Sequence, residues 1–83
     1  MRENDLAGQA GSLGQLGNFY GKMGRLEEAV AFSRQAAEVY VRLQDLAHEG
    51  VVHSNLADTL IKLRRYDEAR QELQRAIERK KPR

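Results

Sequence analysis

The apolar residues of the chain recur every three or four positions, which is the spacing of amphipathic helices. In the stretch that starts at Leu56, this residue, Leu60 and Leu63 share one helical face, and Arg64 and Arg65 then interrupt the pattern. The pattern resumes with Tyr66, Ala69, Leu73 and Ala76. A helical hairpin, two amphipathic helices joined by a short corner, is therefore predicted between positions 56 and 77.

The same hairpin occurs forty residues earlier, and eleven residues are identical in this register without a gap. The identical pairs are Arg2 with Arg42, Asp5 with Asp45, Leu6 with Leu46, Ala7 with Ala47, Leu16 with Leu56, Lys22 with Lys62, Arg25 with Arg65, Glu28 with Glu68, Ala29 with Ala69, Ala36 with Ala76 and Glu38 with Glu78. A duplicated helical hairpin is typical of solenoids, whose units bury their apolar faces against each other. We therefore predict an all-α fold of two stacked helix-turn-helix hairpins.

The predicted helices cover about residues 6–23, 26–43, 46–63 and 66–80 of one domain, 1–83, with repeats at about 5–44 and 45–81. Asp5 and Asp45 are predicted N-caps, because a side-chain oxygen at that position accepts a hydrogen bond from the first N–H groups of a helix. Pro82 and the basic tail, residues 79–83, are expected to end the last helix.

The second and fourth helices differ on their outer faces. Val30, Phe32 and Val39 have the repeat mates Arg70, Glu72 and Arg79. A helix that is apolar on two sides lies between neighbours, whereas a charged outer face ends a stack. The fourth helix is therefore predicted to cap the array.

The first helix contains Gly8, Gly11, Gly14, Gly17 and Gly21. Each costs about 1 kcal/mol relative to Ala in a helix interior, so packing must hold this helix. We expect these small residues to let another helix approach closely. A phosphate-binding glycine loop would need a preceding strand and a Lys-Ser/Thr pair, and the sequence has neither.

The junction between the repeats, Leu43 to Leu46, lacks the glycine that a helix end prefers. It can turn, which gives a compact monomer, or straighten into one long helix, which lets two chains exchange hairpins. Gln44→Gly would strengthen the helix stop and favour the monomer.

Composition excludes several classes of function. The 83 residues carry a net charge of +2 and no cysteine, so thiol chemistry is excluded. No apolar run reaches the roughly 20 residues of a membrane span, and the first residues do not form a signal peptide, so a cytoplasmic protein is expected. Basic residues cluster near the C-terminus, but no aromatic platform accompanies them, which does not favour nucleic acid as a partner.

No catalytic or metal-binding set is predicted, and no cofactor. His48 and His53 are five residues apart, about 140° around a helix, so they cannot hold one metal from the same helix. His53 is expected to be a packed histidine with a satisfied nitrogen, and His48 a surface residue. The carboxylates are interpreted mainly as solvated faces and helix pairs, such as Asp58 with Lys62.

The two copies resemble tetratricopeptide repeats. The matching residues are Leu16, Gly17, Tyr20, Gly24, Leu26, Glu28, Ala29 and Ala36 in the first copy, and Leu56, Ala57, Leu60, Tyr66, Glu68, Ala69 and Ala76 in the second. Arg64 replaces the corner glycine, and Leu13 and His53 replace the usual aromatic residue. The period of forty resembles the kinesin light chain kind of repeat. The resemblance implies a short right-handed α-solenoid and a non-catalytic protein-interaction module.

In this family, the first helix of each hairpin lines a groove that holds an extended peptide or a partner helix. The resemblance assigns peptide binding to Gln15, Asn18, Lys22, Ser54, Asn55, Asp58 and Lys62. Asn18 and Asn55 match asparagines of the carboxylate-clamp members, but the lysine that those members carry before the first asparagine is Gly14 here. Two hypotheses remain: a groove that binds a protein or peptide ligand, and a structural unit that forms a homodimer. Two hairpins are fewer than the roughly three repeats usual in a solenoid, so capped ends, self-association or a longer array would each be consistent.

Overall fold

The computed structural model describes residues 3–80, which form four α-helices and no strand. The helices are α1 (Glu3–Lys22), α2 (Leu26–Leu43), α3 (Leu46–Lys62) and α4 (Tyr66–Lys80). The all-α hairpin fold predicted from the sequence is thereby confirmed. The Pro82 stop lies outside the described residues, as does most of the basic tail.

The N-cap prediction is right for one helix and wrong for another. Asp45 caps α3, because its Oδ1 accepts a hydrogen bond from the backbone N–H of His48 at 3.2 Å. Asp5 lies inside α1, which already begins at Glu3, so it is not an N-cap. An acidic residue in the first turn of a helix still interacts favourably with the helix dipole.

The three corners share one backbone conformation. Gly24, Gln44 and Arg64 have φ angles of 81°, 55° and 62°, in the left-handed region. The residue after each corner donates its N–H to the carbonyl five residues earlier: Arg25 to Tyr20, Asp45 to Tyr40 and Arg65 to Leu60. These bonds satisfy helix-end carbonyls that would otherwise lack a partner. The chain between the repeats is therefore turned, and hairpin exchange between two chains stays a prediction.

The core lies mainly where α2 meets the second hairpin. Val30 of α2 packs with a cluster that α3 and α4 supply: Leu56, Ala57, Leu60, Leu63 and Ala69. A smaller cluster joins Ala37 of α2 to Val52 of α3. Because α2 also packs on α1 through Phe32, which stacks on Tyr20 at 5.3 Å between ring centroids, it is held on two sides as predicted.

Only some of the α1 glycines are sites of close helix approach. A Cβ at Gly17 would lie 2.8 Å from Oγ of Ser33, and one at Gly21 would touch Ala29 at 3.9 Å. At Gly8, Gly11 and Gly14 a Cβ would meet nothing within 4 Å. The expected close approach therefore holds at the C-terminal half of α1 and is wrong for the N-terminal half.

The extensive helix contacts join neighbours in sequence: α1 with α2, α2 with α3, and α3 with α4. The Cα positions span 36 × 31 × 14 Å. A thickness of 14 Å fits two layers of helices, given axes about 9 Å apart and a Cα radius of about 2.3 Å. A polar groove lies between α1 and α3.

Candidate functional site

The groove between α1 and α3 is a shallow cleft of about 160 Å³. Its lining consists of Gly17, Asn18, Gly21 and Lys22 from α1, and of Asn55, Asp58, Thr59 and Lys62 from α3. Gly17 and Gly21 contribute only backbone atoms to this lining. The cleft is therefore lined by amides, one carboxylate and two ammonium groups.

Five of the seven predicted binding residues line this groove together: Asn18, Lys22, Asn55, Asp58 and Lys62. The other two do not. Gln15 lines a separate cleft on the far side of α1 with Ser12, Leu16 and Phe19. Ser54 is half-buried and is not part of the groove lining.

The charged groups of the groove are exposed and loosely paired. Lys62 Nζ lies 3.6 Å from Oδ2 of Asp58, and both side chains are more than half exposed. Lys22 makes no ion pair among the described residues. Asn55 is exposed, and Thr59 donates a hydrogen bond to its backbone carbonyl and not to its side-chain amide. An amide offers both donors and acceptors, and an exposed ammonium offers only donors. The groove therefore presents hydrogen-bond donors and acceptors beside two cationic groups.

A second cleft, which the sequence did not predict, lies on the other side of the molecule between α2 and α4. It has a volume of about 460 Å³. Its lining includes Arg34, Glu38, Val41, Glu49, His53, Glu72, Arg75 and Glu78. The base of this cleft holds three ionisable side chains that are 2 to 6% exposed: Glu49, Glu72 and His53.

His53 is held between two carboxylates. Its Nδ1 lies 2.6 Å from Oε2 of Glu72, and its Nε2 lies 3.0 Å from Oε2 of Glu49. A neutral imidazole has only one N–H donor. For both contacts to be hydrogen bonds, either the ring carries two protons or one carboxyl group carries one.

The prediction of a packed, satisfied His53 is thus confirmed, and the interpretation of the carboxylates as solvated is wrong for Glu49 and Glu72. Glu72 also accepts a hydrogen bond from Arg75 at 2.9 Å, and it belongs to the predicted charged outer face. One signal could have identified it, because its repeat mate Phe32 is apolar and packs inward. Glu49 precedes His53 by four residues, which places both on one helical face.

The two hairpins are also joined by ion pairs. Arg34 of α2 binds Glu68 at 3.0 Å, and Arg65 bridges Glu68 and Glu27, the latter at 3.2 Å. Hydrogen bonds from Arg65 and then Arg34 lower the pKa of Glu68 from 4.5 to about 2. This network runs across the contact between α2 and the second hairpin.

The remaining candidate chemistry does not assemble into a site. His48 is exposed, contacts Asp45 at 2.7 Å and stacks on Tyr40, as expected for a surface residue. Within residues 3–80, no group of three or more His, Asp or Glu side chains is placed to hold a metal ion. No described helix has the length and apolar character needed to cross a bilayer.

A short stack of helical hairpins with a polar groove on one face defines a helical-repeat protein. The model of the tetratricopeptide repeat family matches residues 8–81, and the chain belongs to that family. Repeats of this family are generally non-catalytic protein-interaction modules. No curated protein and no solved structure matches the chain.

Proposed function

We propose that the chain binds an extended, acidic peptide segment of a partner protein in the groove between α1 and α3. The observation that carries this proposal is the convergence of Asn18 and Lys22 from one repeat with Asn55 and Lys62 from the other. These residues are far apart in sequence, and each projects a flexible polar group into the same cleft.

The peptide backbone would be held by the two asparagine amides, each of which can donate to a carbonyl and accept from an N–H. Lys22 and Lys62 would pair with acidic side chains or with a terminal carboxylate. Asp58 already contacts Lys62, so an acidic ligand would compete with it and would leave Lys22 as the stronger attraction. The binding is therefore expected to weaken as salt increases.

Some members of the family bind a C-terminal carboxylate with a clamp of asparagines and lysines. In this chain, Gly14 occupies the position of the first of those lysines. A Cβ at Gly14 meets nothing within 4 Å, so close packing does not explain why glycine occupies this position. The natural chain is therefore proposed to rely on acidic side chains along the ligand rather than on its terminus.

The test is a selection of short peptides rich in Asp and Glu, followed by fluorescence anisotropy with the selected sequences. The variant Asn55→Ala/Lys62→Ala should reduce affinity on the order of tenfold, because it removes one amide and one ammonium group from the groove. The matched control Arg70→Ala/Gln71→Ala removes one cation and one amide from exposed positions of α4.

The control should bind as the natural chain does, and circular dichroism should show the same helix content in all three proteins. Equal affinity of the groove variant and the natural chain would refute the groove as the binding surface.

A further inference from the structure

The duplication gives each residue of the contact between hairpins a mate forty positions away, and several of these mates are exposed at one end of the molecule. The stacking contact is defined here as the surface where α2 meets α3 and α4. Its α2 side has mates on the outer face of α4, and its α3–α4 side has mates on α1 and the start of α2. The two ends of the chain are therefore offset copies of the two halves of an interface that the chain already contains.

The apolar part of the stacking contact has exposed mates on α1. Leu56 is 1% exposed and packs with Val30, whereas its mate Leu16 is 39% exposed. Leu63 packs against the same cluster, whereas its mate Met23 is 53% exposed. Phe19 extends this exposed strip. Part of the apolar surface of the stacking contact is thus repeated on α1, where the described helices leave it exposed.

The ionic part is complementary at the two ends. In the stacking contact, Glu27 of α2 pairs with Arg65 at 3.2 Å. The mates of these residues are Asp67, on α4, and Arg25, beside α1. Asp67 makes no ion pair among the described residues. Arg25 binds Glu28, as Arg65 binds Glu68, and its guanidinium also lies 5.2 Å from the centre of the Tyr20 ring. The carboxylate and the guanidinium of a second such pair therefore lie at opposite ends of one molecule.

The second ion pair between the hairpins also has mates at the two ends of the molecule, but one of the mates is uncharged. Arg34 binds Glu68 at 3.0 Å, and the mates are Gln74 and Glu28. A glutamine amide still donates a hydrogen bond to a carboxylate. On α4, Arg70 replaces Val30, so its aliphatic stem would cover Leu16 and Phe19 while its guanidinium stays near solvent or the Phe19 ring.

We propose that a second copy of this chain docks head to tail, with the outer face of α4 of one copy on the α1 face of the next. The contact would repeat the stacking contact, with Asp67 of one copy paired to Arg25 of the other. In that case α4 would join two copies and would not end the stack, contrary to the prediction from its charged outer face. It uses surfaces separate from the groove, so it is independent of the proposed peptide binding. A head-to-tail contact leaves one free face at each end, so the assembly grows with concentration. Because charges carry much of it, salt should weaken it.

The test is sedimentation velocity from micromolar to millimolar chain at low and high salt. The natural chain should show reversible growth beyond a dimer that salt reduces. Asp67→Arg alone and Arg25→Asp alone each put like charges opposite each other, so each should weaken association on the order of tenfold. When the two variants are mixed, copies that alternate along the assembly place opposite charges at every contact, so association should return. The chain with both changes should also associate, because the pair is then reversed within each contact.

Glu38→Arg is the matched control, since it makes the same charge change at an exposed carboxylate of α2, outside the groove, the α1 face and the outer face of α4. It should associate as the natural chain does. Recovery in the mixture separates the charge effect from misfolding of either variant.

A monomer at every concentration would overturn the proposal. A dimer that stops growing and is insensitive to Asp67→Arg would also overturn it, because hairpin exchange or a symmetric contact between two α1 helices would then be the interface.

Discussion

Replacing His53 with leucine tests the buried cluster beneath the second cleft. The substitution keeps the side-chain volume similar but removes both contacts to Glu49 and Glu72, which lie 3.0 and 2.6 Å from the ring nitrogens. Removing one partner of a buried ionic group costs about 3–5 kcal/mol, and the low end applies here because Arg75 still binds Glu72 after the substitution. At about 0.05–0.15 kcal/mol per residue, this chain has a stability of roughly 4–12 kcal/mol. His53→Leu should therefore remove a large part of it.

The measurement is urea unfolding followed by circular dichroism, with the loss read from the midpoint at constant slope. A loss of about 3 kcal/mol corresponds to a fall in Tm of about 12 °C or more for a domain of this size. The control is His48→Leu, which also removes a histidine–carboxylate contact on α3, but one whose ring is 65% exposed. A surface pair contributes at most about 1 kcal/mol.

A third variant separates the charge effect from packing. The triple variant Glu49→Leu/His53→Leu/Glu72→Leu removes all three buried ionisable groups, and such replacements by apolar residues are often neutral or stabilising. The triple variant should therefore be more stable than His53→Leu alone. If His53→Leu cost less than about 1 kcal/mol, as His48→Leu should, the ring would not be needed to stabilise the two buried carboxylates, and the reasoning would be wrong.

Two further predictions concern α1 and the ion pairs between hairpins. Gly14→Ala should stabilise the chain by about 0.5–1 kcal/mol, because Ala is the better helix former and its Cβ meets nothing. Gly17→Ala should lose that gain or destabilise in the same urea measurement, because its Cβ would clash with Oγ of Ser33 at 2.8 Å; a gain equal to that of Gly14→Ala would contradict the close approach. The pKa of Glu68 is lower in the folded chain than its ordinary value, so its ionised form stabilises the fold above pH 4.5 and this contribution is lost as the pH falls toward 2. The stability difference between the natural chain and Glu68→Gln should therefore shrink over that range, and a constant difference would refute the pairing with Arg65 and Arg34.

Helix bounds could be read from the sequence because local chemistry sets them. The predicted bounds of α2 and α4 match the structure, and α3 ends one residue earlier than predicted. The prediction is less accurate for α1, which begins three residues earlier and ends one residue earlier than expected. Arg64 shows where such reasoning is weaker, since it adopts the left-handed corner conformation that glycine favours. The repeat register, rather than the residue type, indicates that corner.

The groove could be predicted and the buried cluster could not. Asn18 and Asn55 match groove positions of the tetratricopeptide repeat family, and both line one cleft here. They could be identified because a groove position depends only on helical register. Glu72 reaches His53 across 19 residues of sequence and from another helix. A charged residue gives no local sign that a partner on a neighbouring helix will bury it, so only its apolar repeat mate distinguishes it from a solvated residue.

Because the extensive contacts join helices that are neighbours in sequence, the molecule behaves as a linear chain of interfaces. The glycine-rich α1 is held by one such interface, so it can open locally while the second hairpin stays folded. A peptide in the groove would touch α1 and α3 at once and would tie together two helices that the extensive contacts do not join. Part of the binding free energy of the ligand would then be spent on holding α1 packed against the rest of the molecule. A chain with bound peptide would therefore unfold more cooperatively than a free chain.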